Sequence, residues 1–351
     1  MRRPTRRRAR AALRIALLGC AALCVATCRQ TAPVARRDAA TASAATAAGL
    51  SPVEARAWLQ DDTLPEGLEP LPGDAQEPPL VVLERGTGAR ELRLAAAADS
   101  RQTLDLRLEQ AVEEAVDGAA RRTDFTARVV LEFAATGTTT DGGLRGTLRI
   151  AGTTLEREPA APDGAAVREA VGALAGVAAD VQLGPFGDLL RADWKFPESW
   201  SAETRDAARL VTDAVELATV PLPAQPVGTG GRWGREFRSG PDSGLDATTR
   251  ERFLLEQFDG RRGRLRGRTR TRAGEQELRA PAGAADVQVR LLELDLQDST
   301  ELLFDLGRPL PLQGRRALTS IQRRRRTAEG RTELLETRTR TVLEIEPAGA
   351  G

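Results

Sequence analysis

Six arginines alternate with other residues in FDGRRGRLRGRTRTR, at Arg262, Arg264, Arg266, Arg268, Arg270 and Arg272. In an extended strand this spacing lines one face with guanidinium groups about 6.6–6.8 Å apart. Arginine forks fit phosphate oxygens, so Arg264, Arg266, Arg268 and Arg270 are candidate ligands for phospholipid headgroups, lipid A-like phosphates or acidic polysaccharide. The plain alternative is a solvated strand face, paired crosswise to Glu251, Glu275 or Glu277. A second basic run, Arg323 to Arg326, is contiguous and would divide between two strand faces.

The other chemistry-bearing residue types are sparse. Glu293 and Asp295 alternate, with Asp298 close by. Carboxylates so placed suit hydrolysis or calcium binding only when further ligands converge, and otherwise read as a solvent-facing strand edge. The chain contains no His, so no imidazole serves acid–base catalysis or metal ligation, and no Tyr. Lys195 is the sole lysine, and Ala192 occupies the position where a Ser-x-x-Lys nucleophile would need its serine. GTGGRWG (228–234) lacks the Gly-Lys-Ser/Thr of a phosphate loop, and Arg232-Trp233 leads into a strand, so it reads as a turn with Trp233 anchored in the core. We expect a protein that is not an enzyme, with no catalytic residues, metal or cofactor. Trp194, Phe196 and Trp200 cluster around Lys195 and Pro197 just ahead of a helical pattern. They mark either the mouth of an apolar cavity between sheet and helix or part of the core.

The compartment is written in the first 28 residues. A basic stretch, MRRPTRRRARAALR, runs into the apolar IALLGCAALCVA, the pattern of an export signal. All three cysteines, Cys20, Cys24 and Cys28, lie there. Val25-Ala26-Thr27-Cys28 resembles a bacterial lipoprotein signal, in which the Cys becomes the lipidated first residue. We favour Cys28, because a full apolar run precedes it and a polar tail follows. The alternative, Leu17-Leu18-Gly19-Cys20, has the better preceding residue but a short apolar run after Arg14. From Ile15 to Ala26 the run is 12 residues, short of the roughly 20 that a spanning helix needs. The expected address is therefore a bacterial cell envelope, with a lipid in the membrane and the body facing periplasm or cell exterior. Loss of residues 1–27 removes seven Arg and no acid, leaving 44 basic against 50 acidic residues, a net of −6. No nucleic-acid partner is expected from that balance, and no disulfide framework from at most one remaining Cys.

Residues 28–79, rich in Ala and Thr and then in Pro and acid, read as a disordered tether. One helix interrupts it, with Ser51 as cap, Pro52 at the first position and Glu54 three residues after the cap, and Trp58 and Leu59 on it could dock back onto the body. From Leu80 the pattern is strand-like. We expect strands near 80–85, 90–97, 103–112, 126–135, 144–157, 176–183, 188–196, 232–238, 250–258, 262–272, 286–296, 300–306, 314–325 and 332–346. Turns fall at Asp141-Gly142-Gly143, Gly184 to Gly187, Asp259-Gly260 and Glu329-Gly330. The principal helix spans 201–219, with Ser201 as cap and an apolar stripe through Leu210, Val211, Ala214, Val215, Leu217 and Ala218. A weaker one spans 164–175. The fold class is mainly β (α+β): a large antiparallel sheet, or two β lobes (80–220 and 221–351), with one principal helix packed against it.

The stretch PLPAQPVGTGGRW (221–233), between helix and strand, resembles a motif of a bacterial envelope lipoprotein family of unknown function. An earlier β region with an Asp-Gly turn and a late LLFDLGRPLP segment (302–311) extend the likeness over roughly residues 90–346. The resemblance implies fold and location and brings no catalytic residues. The leading expectation is a lipid-anchored binding protein holding an apolar or amphiphilic ligand in a sheet–helix cleft, with the arginine strand near the ligand's anionic end. The rival is a structural module that binds an envelope protein partner by its strand edges.

Overall fold

The computed structural model describes residues 52–61, 63–72, 78–160, 164–240, 244–278, 287–328 and 330–347. Cys20, Cys28, the export signal and Ser51 lie outside the described residues. In chain order the elements begin with α1 (Pro52–Gln60), β1 (Pro70–Leu71), β2 (Val81–Glu84) and β3 (Thr87–Arg90). A first meander follows: β4 (Arg101–Val116), β5 (Ala119–Thr138), β6 (Leu144–Arg157), helix α2 (Gly164–Ala173), β7 (Ala178–Leu183) and β8 (Leu189–Trp194). Helix α3 (Ala202–Glu216) leads to the second: β9 (Val227–Thr229), β10 (Arg232–Ser239), β11 (Ala247–Phe258), β12 (Arg262–Ala273), β13 (Gln276–Leu278), β14 (Val287–Asp305), β15 (Gln313–Ala328) and β16 (Arg331–Pro347).

Both meanders belong to one 14-stranded sheet, in the order β1-β10-β11-β12-β14-β15-β16-β4-β5-β6-β7-β8, with β2 on β10 and β13 on β14. The joint is the antiparallel pairing of the last strand with β4, which sets Leu343 opposite Leu108 and Ile345 opposite Leu106. The protein is therefore mainly β, and segments 80–220 and 221–351 share a single sheet. Pairing is antiparallel except where β1 runs parallel to β10. Strands β3 and β9 form a separate ribbon.

Alternation gives this sheet an inner and an outer face. Leu104, Leu106, Leu108, Leu131, Phe133, Ile150, Leu343 and Ile345 lie on the inner face, each at most 1 % exposed. Helix α3 packs against α2, β4 and β8. It starts where Ser201 accepts a hydrogen bond from the Thr204 amide (3.1 Å), a cap whose loss costs about 1 kcal/mol. Its buried stripe is Ala208, Val211, Ala214 and Val215. The expected 201–219 is trimmed to 202–216 because Leu217 already bonds back to Ala214 and ends the helix.

Several expectations shift. The run 90–97 is not a strand: Leu92 is buried, yet the backbone bonds irregularly, Leu94 N to Pro185 O and Ala95 N to Leu306 O. The strands expected at 286–296 and 300–306 are one, β14. Strands β4 and β5 extend through the charged stretch to a tight turn at Asp117 (φ 48°) and Gly118 (φ 86°), the Asp-Gly chemistry of a two-residue hairpin. Finally, α1 docks on the outer face. Arg252 donates to the Trp58 carbonyl (2.6 Å) and lies 5.5 Å from its ring, while also pairing with Asp61 (2.7 Å). With β1 paired to β10, residues 52–72 supply the expected docking helix and an unexpected strand to the body, within a segment otherwise read as tether.

Candidate functional site

Strand β12 forms as its alternation requires: Gly263, Leu265 and Gly267 are buried, and the six arginines share the outer face. Five of them have polar partners there. Arg262 reaches Asp305 (3.3 Å) and Arg266 lies between Glu256 (3.1 Å) and Glu301 (3.3 Å). Arg268 donates to Gln297 (3.2 Å). Arg270 (2.7 Å) and Arg272 (3.3 Å) both hold Asp295. Arg264 is exposed toward a groove of about 340 Å³ that also contains Arg315, Glu301, Glu344 and Glu346. A second groove of about 310 Å³, beneath Leu59 and Gln60 of α1, holds Arg266 and Arg268 with Glu256 and Glu301. In both, carboxylates face the guanidinium groups.

The crosswise partners expected for the ladder are not the ones used. Glu251 stands opposite Thr269, on the inner face, and pairs with Arg235 (2.9 Å). Glu275 and Glu277 pair with Arg290 (3.0 and 3.6 Å). The actual partners come from β14 and from Glu256, because register across distant strands decides which charges meet. Burial pushes the Asp295 carboxyl up, but the hydrogen bond and charge of Arg270, aided by Arg272, hold it below the usual carboxylate range. Asp305 is likewise lowered, with Arg261 and Arg262 and the Gly307 amide outweighing its burial.

The alternating carboxylates are separated by the fold. Glu293 pairs with Arg323 (2.9 Å) and Asp295 with Arg270, both on the outer face. Asp298 points inward to Arg316 (Nε–Oδ2 2.7 Å). Among the described residues no group of three or more His, Cys, Asp or Glu side chains is placed to hold a metal ion.

Trp194, Phe196 and Trp200 lie on the chain just ahead of α3 and pack against the core. Trp194, opposite Ala179 on β7, donates its indole N–H to Glu216 (3.0 Å). Phe196 and Trp200 have ring centroids 5.5 Å apart. All three are half-buried. Seven strands separate β8 from the arginine strand along the sheet, and the two sets point to opposite faces. The expected placement of the arginines at the anionic end of a ligand in the sheet–helix cleft is therefore corrected: the ladder belongs to the outer surface.

Sequence reasoning missed the polar part of the inner face. Register places Arg235, Glu251, Thr269, Asp298, Leu318, Thr341 and Gln110 in one row across seven strands. Arg316 lies beside that row, donating to Asp298 and to the Leu217 carbonyl at the end of α3 (3.0 Å). Burial opposes the Arg316 charge, and Asp298 more than compensates, raising its pKa. The next rows carry Ser320 and Thr339, then Gln322, Thr337, Glu114 and Arg121. Burial raises the Glu114 pKa against the pull of Arg121 and Arg324. The available signal was polar residues at inward positions, among them Gln110, Asp298, Ser320, Gln322 and Thr339.

The glycine-rich motif is structural. Trp233 is fully buried, donates to the Pro221 carbonyl (3.2 Å) and stacks on Phe253. A Cβ at Gly228 would overlap the Thr87 carbonyl, which explains why the ribbon of β3 and β9 takes no larger residue there. No described helix is long and apolar enough to cross a membrane. A comparison with protein-family models gives no match, and a comparison with curated protein sequences gives none either.

Proposed function

We propose that this chain is an exported protein of a bacterial envelope, anchored by a lipid on Cys28, with Cys20 as the alternative, and that it binds an apolar or amphiphilic ligand without catalysis. The export-type N-terminus and the likeness of PLPAQPVGTGGRW to an envelope lipoprotein family support the address. One observation carries the binding reading: long strands build a broad apolar region on the inner face, and amphipathic α3 lies on part of it, beside Trp194, Phe196 and Trp200. Ligand sites are mostly apolar clefts with a few polar groups, the composition that borders α3 here.

Native mass spectrometry of the full chain, produced with its export signal, tests this. We expect a co-purifying mass that leaves on denaturation, and a clean apo mass across preparations overturns the ligand. For the anchor, Cys28→Ala should abolish labelling by a fatty-acid probe, and retained labelling would move the site to Cys20.

A second reading, strand addition by a protein partner, is favoured by β2 at the margin of β10. Val81 (46 % exposed) and Leu83 (61 %) are open to solvent there, and an exposed apolar margin is a template for another chain. Cross-linking from Leu83→Cys in the envelope would capture that partner.

A further inference from the structure

The polar part of the inner face has a specific chemistry. Gln322 is 1 % exposed, Gln110 2 %, Asp298 3 % and Thr339 4 %. Five of their polar atoms have no hydrogen-bond partner in the protein: Nε2 and Oε1 of Gln322, Nε2 of Gln110, the Thr339 hydroxyl and Oδ1 of Asp298. Native proteins leave few buried polar groups in this condition, and partners from outside the chain usually complete them. Thr339 on β16 lies one strand and one row from each of Gln110 on β4 and Gln322 on β15, so a group bound at Thr339 can reach both amides, while Asp298 on β14 lies two strands from Thr339.

Their character selects the group. Two amide nitrogens donate, a carbonyl and a carboxylate oxygen accept, and a hydroxyl does both. A hydroxyl-rich group satisfies such a mixture, whereas a phosphate only accepts. The cations of the band already face carboxylates: Arg316 meets Asp298, Arg235 meets Glu251, and Arg121 and Arg324 act on Glu114. Along the same strands the rows turn apolar, through Leu108 and Leu343 to Leu106 and Ile345. We propose that Gln110, Gln322 and Thr339 form the head-group subsite for a neutral, hydroxyl-rich amphiphile. This rests on the reading of the protein as an amphiphile binder.

The test uses the full chain, titrated with vesicles containing either monoglucosyl dioleoylglycerol or dioleoyl phosphatidylglycerol, with bound lipid read by native mass spectrometry. Retention of the glucosyl lipid is expected to exceed that of the phospholipid by about tenfold or more, because an analogue that leaves buried polar groups unmatched is strongly rejected. Gln322→Leu with Thr339→Val removes three of the five unpartnered atoms. It should cut glucosyl-lipid binding by about tenfold and raise the melting temperature, since buried polar groups without partners are destabilising. Gln322→Met alone serves if the double variant fails to fold. Unchanged glucosyl-lipid binding in a folded variant overturns the subsite and leaves water as the partner of these atoms. Preference for phosphatidylglycerol overturns the neutral head group while keeping the protein a lipid binder. Binding of neither lipid, together with a clean apo mass, overturns both readings.

Discussion

The two faces of this sheet hold ion pairs of different kinds. On the outer face, Arg262, Arg266, Arg270 and Arg272 share Asp305, Glu256, Glu301 and Asp295, and all of these arginines except Arg270 stay largely open to solvent, although Asp305 itself is buried. On the inner face, Asp298 is 3 % exposed and Arg316 bridges it to the end of α3. Exposed pairs are screened and individually weak, whereas a buried charge that loses its partner is left with its full desolvation cost. Apart from Arg270, which is buried against Asp295, the arginines of the densest stretch of sequence are thus individually weak contributors. One inner arginine on β15 ties the sheet to its principal helix.

The largest expected effect breaks the inner pair. Asp298→Ala should cost about 3–5 kcal/mol, because Arg316 then stays buried without a counter-charge. Urea unfolding measures it, and a loss below about 1 kcal/mol would make the two faces equivalent. Acid titration sharpens the contrast. The lowered carboxyls of Asp295 and Asp305 bind fewer protons folded than unfolded, so their contribution is complete above about pH 4 and is lost as pH falls through their depressed pKa values. Glu114 acts with the opposite sign: its raised pKa makes the folded state hold a proton more tightly, so acidification toward about pH 4 stabilises through it. Melting temperature against pH should therefore flatten on the acid side in Asp295→Asn and steepen in Glu114→Gln. Removing one outer cation by Arg266→Gln should change stability by no more than about 1 kcal/mol in the same urea assay. The smallest effect is on surface binding. Replacing Arg264, Arg266, Arg268 and Arg270 together with Gln should weaken flotation on anionic vesicles by less than about fivefold, because the carboxylates beside them offset the roughly 1 kcal/mol that each cation would otherwise contribute near an anionic surface. A loss of a hundredfold would make the ladder an anion site.

Much of the architecture was legible in local pattern. Alternation located β12, β6, β15 and β16 nearly to the residue, and the cap at Ser201 fixed the start of α3. What local pattern hides is register. Asp298-Ser299 reads as a break between two strands, yet Asp298 sits inside β14 because Arg316, on the next strand, supplies its partner. The charged residues on either side of Asp117-Gly118 mask a hairpin, since Glu114 and Arg121 point inward and pair across it. For the same reason the arginine face was recognisable and its carboxylates were not. Of the aromatics expected to cluster beside α3, Phe196 and Trp200 have neighbouring rings and Trp194 bonds to Glu216 of the helix. The inner polar rows escaped notice because Gln110, Thr339 and Gln322 become neighbours only when β16 lies against β4.

That last pairing also sets an order of events for the growing chain. Gln110 and Thr341 touch across 231 positions of sequence, so the seam between the meanders cannot close until almost the whole polypeptide has emerged. Until then β4 and β15 each present a long bare margin, the condition in which strands recruit the wrong neighbour. A chain stopped before Arg331 would keep both margins permanently.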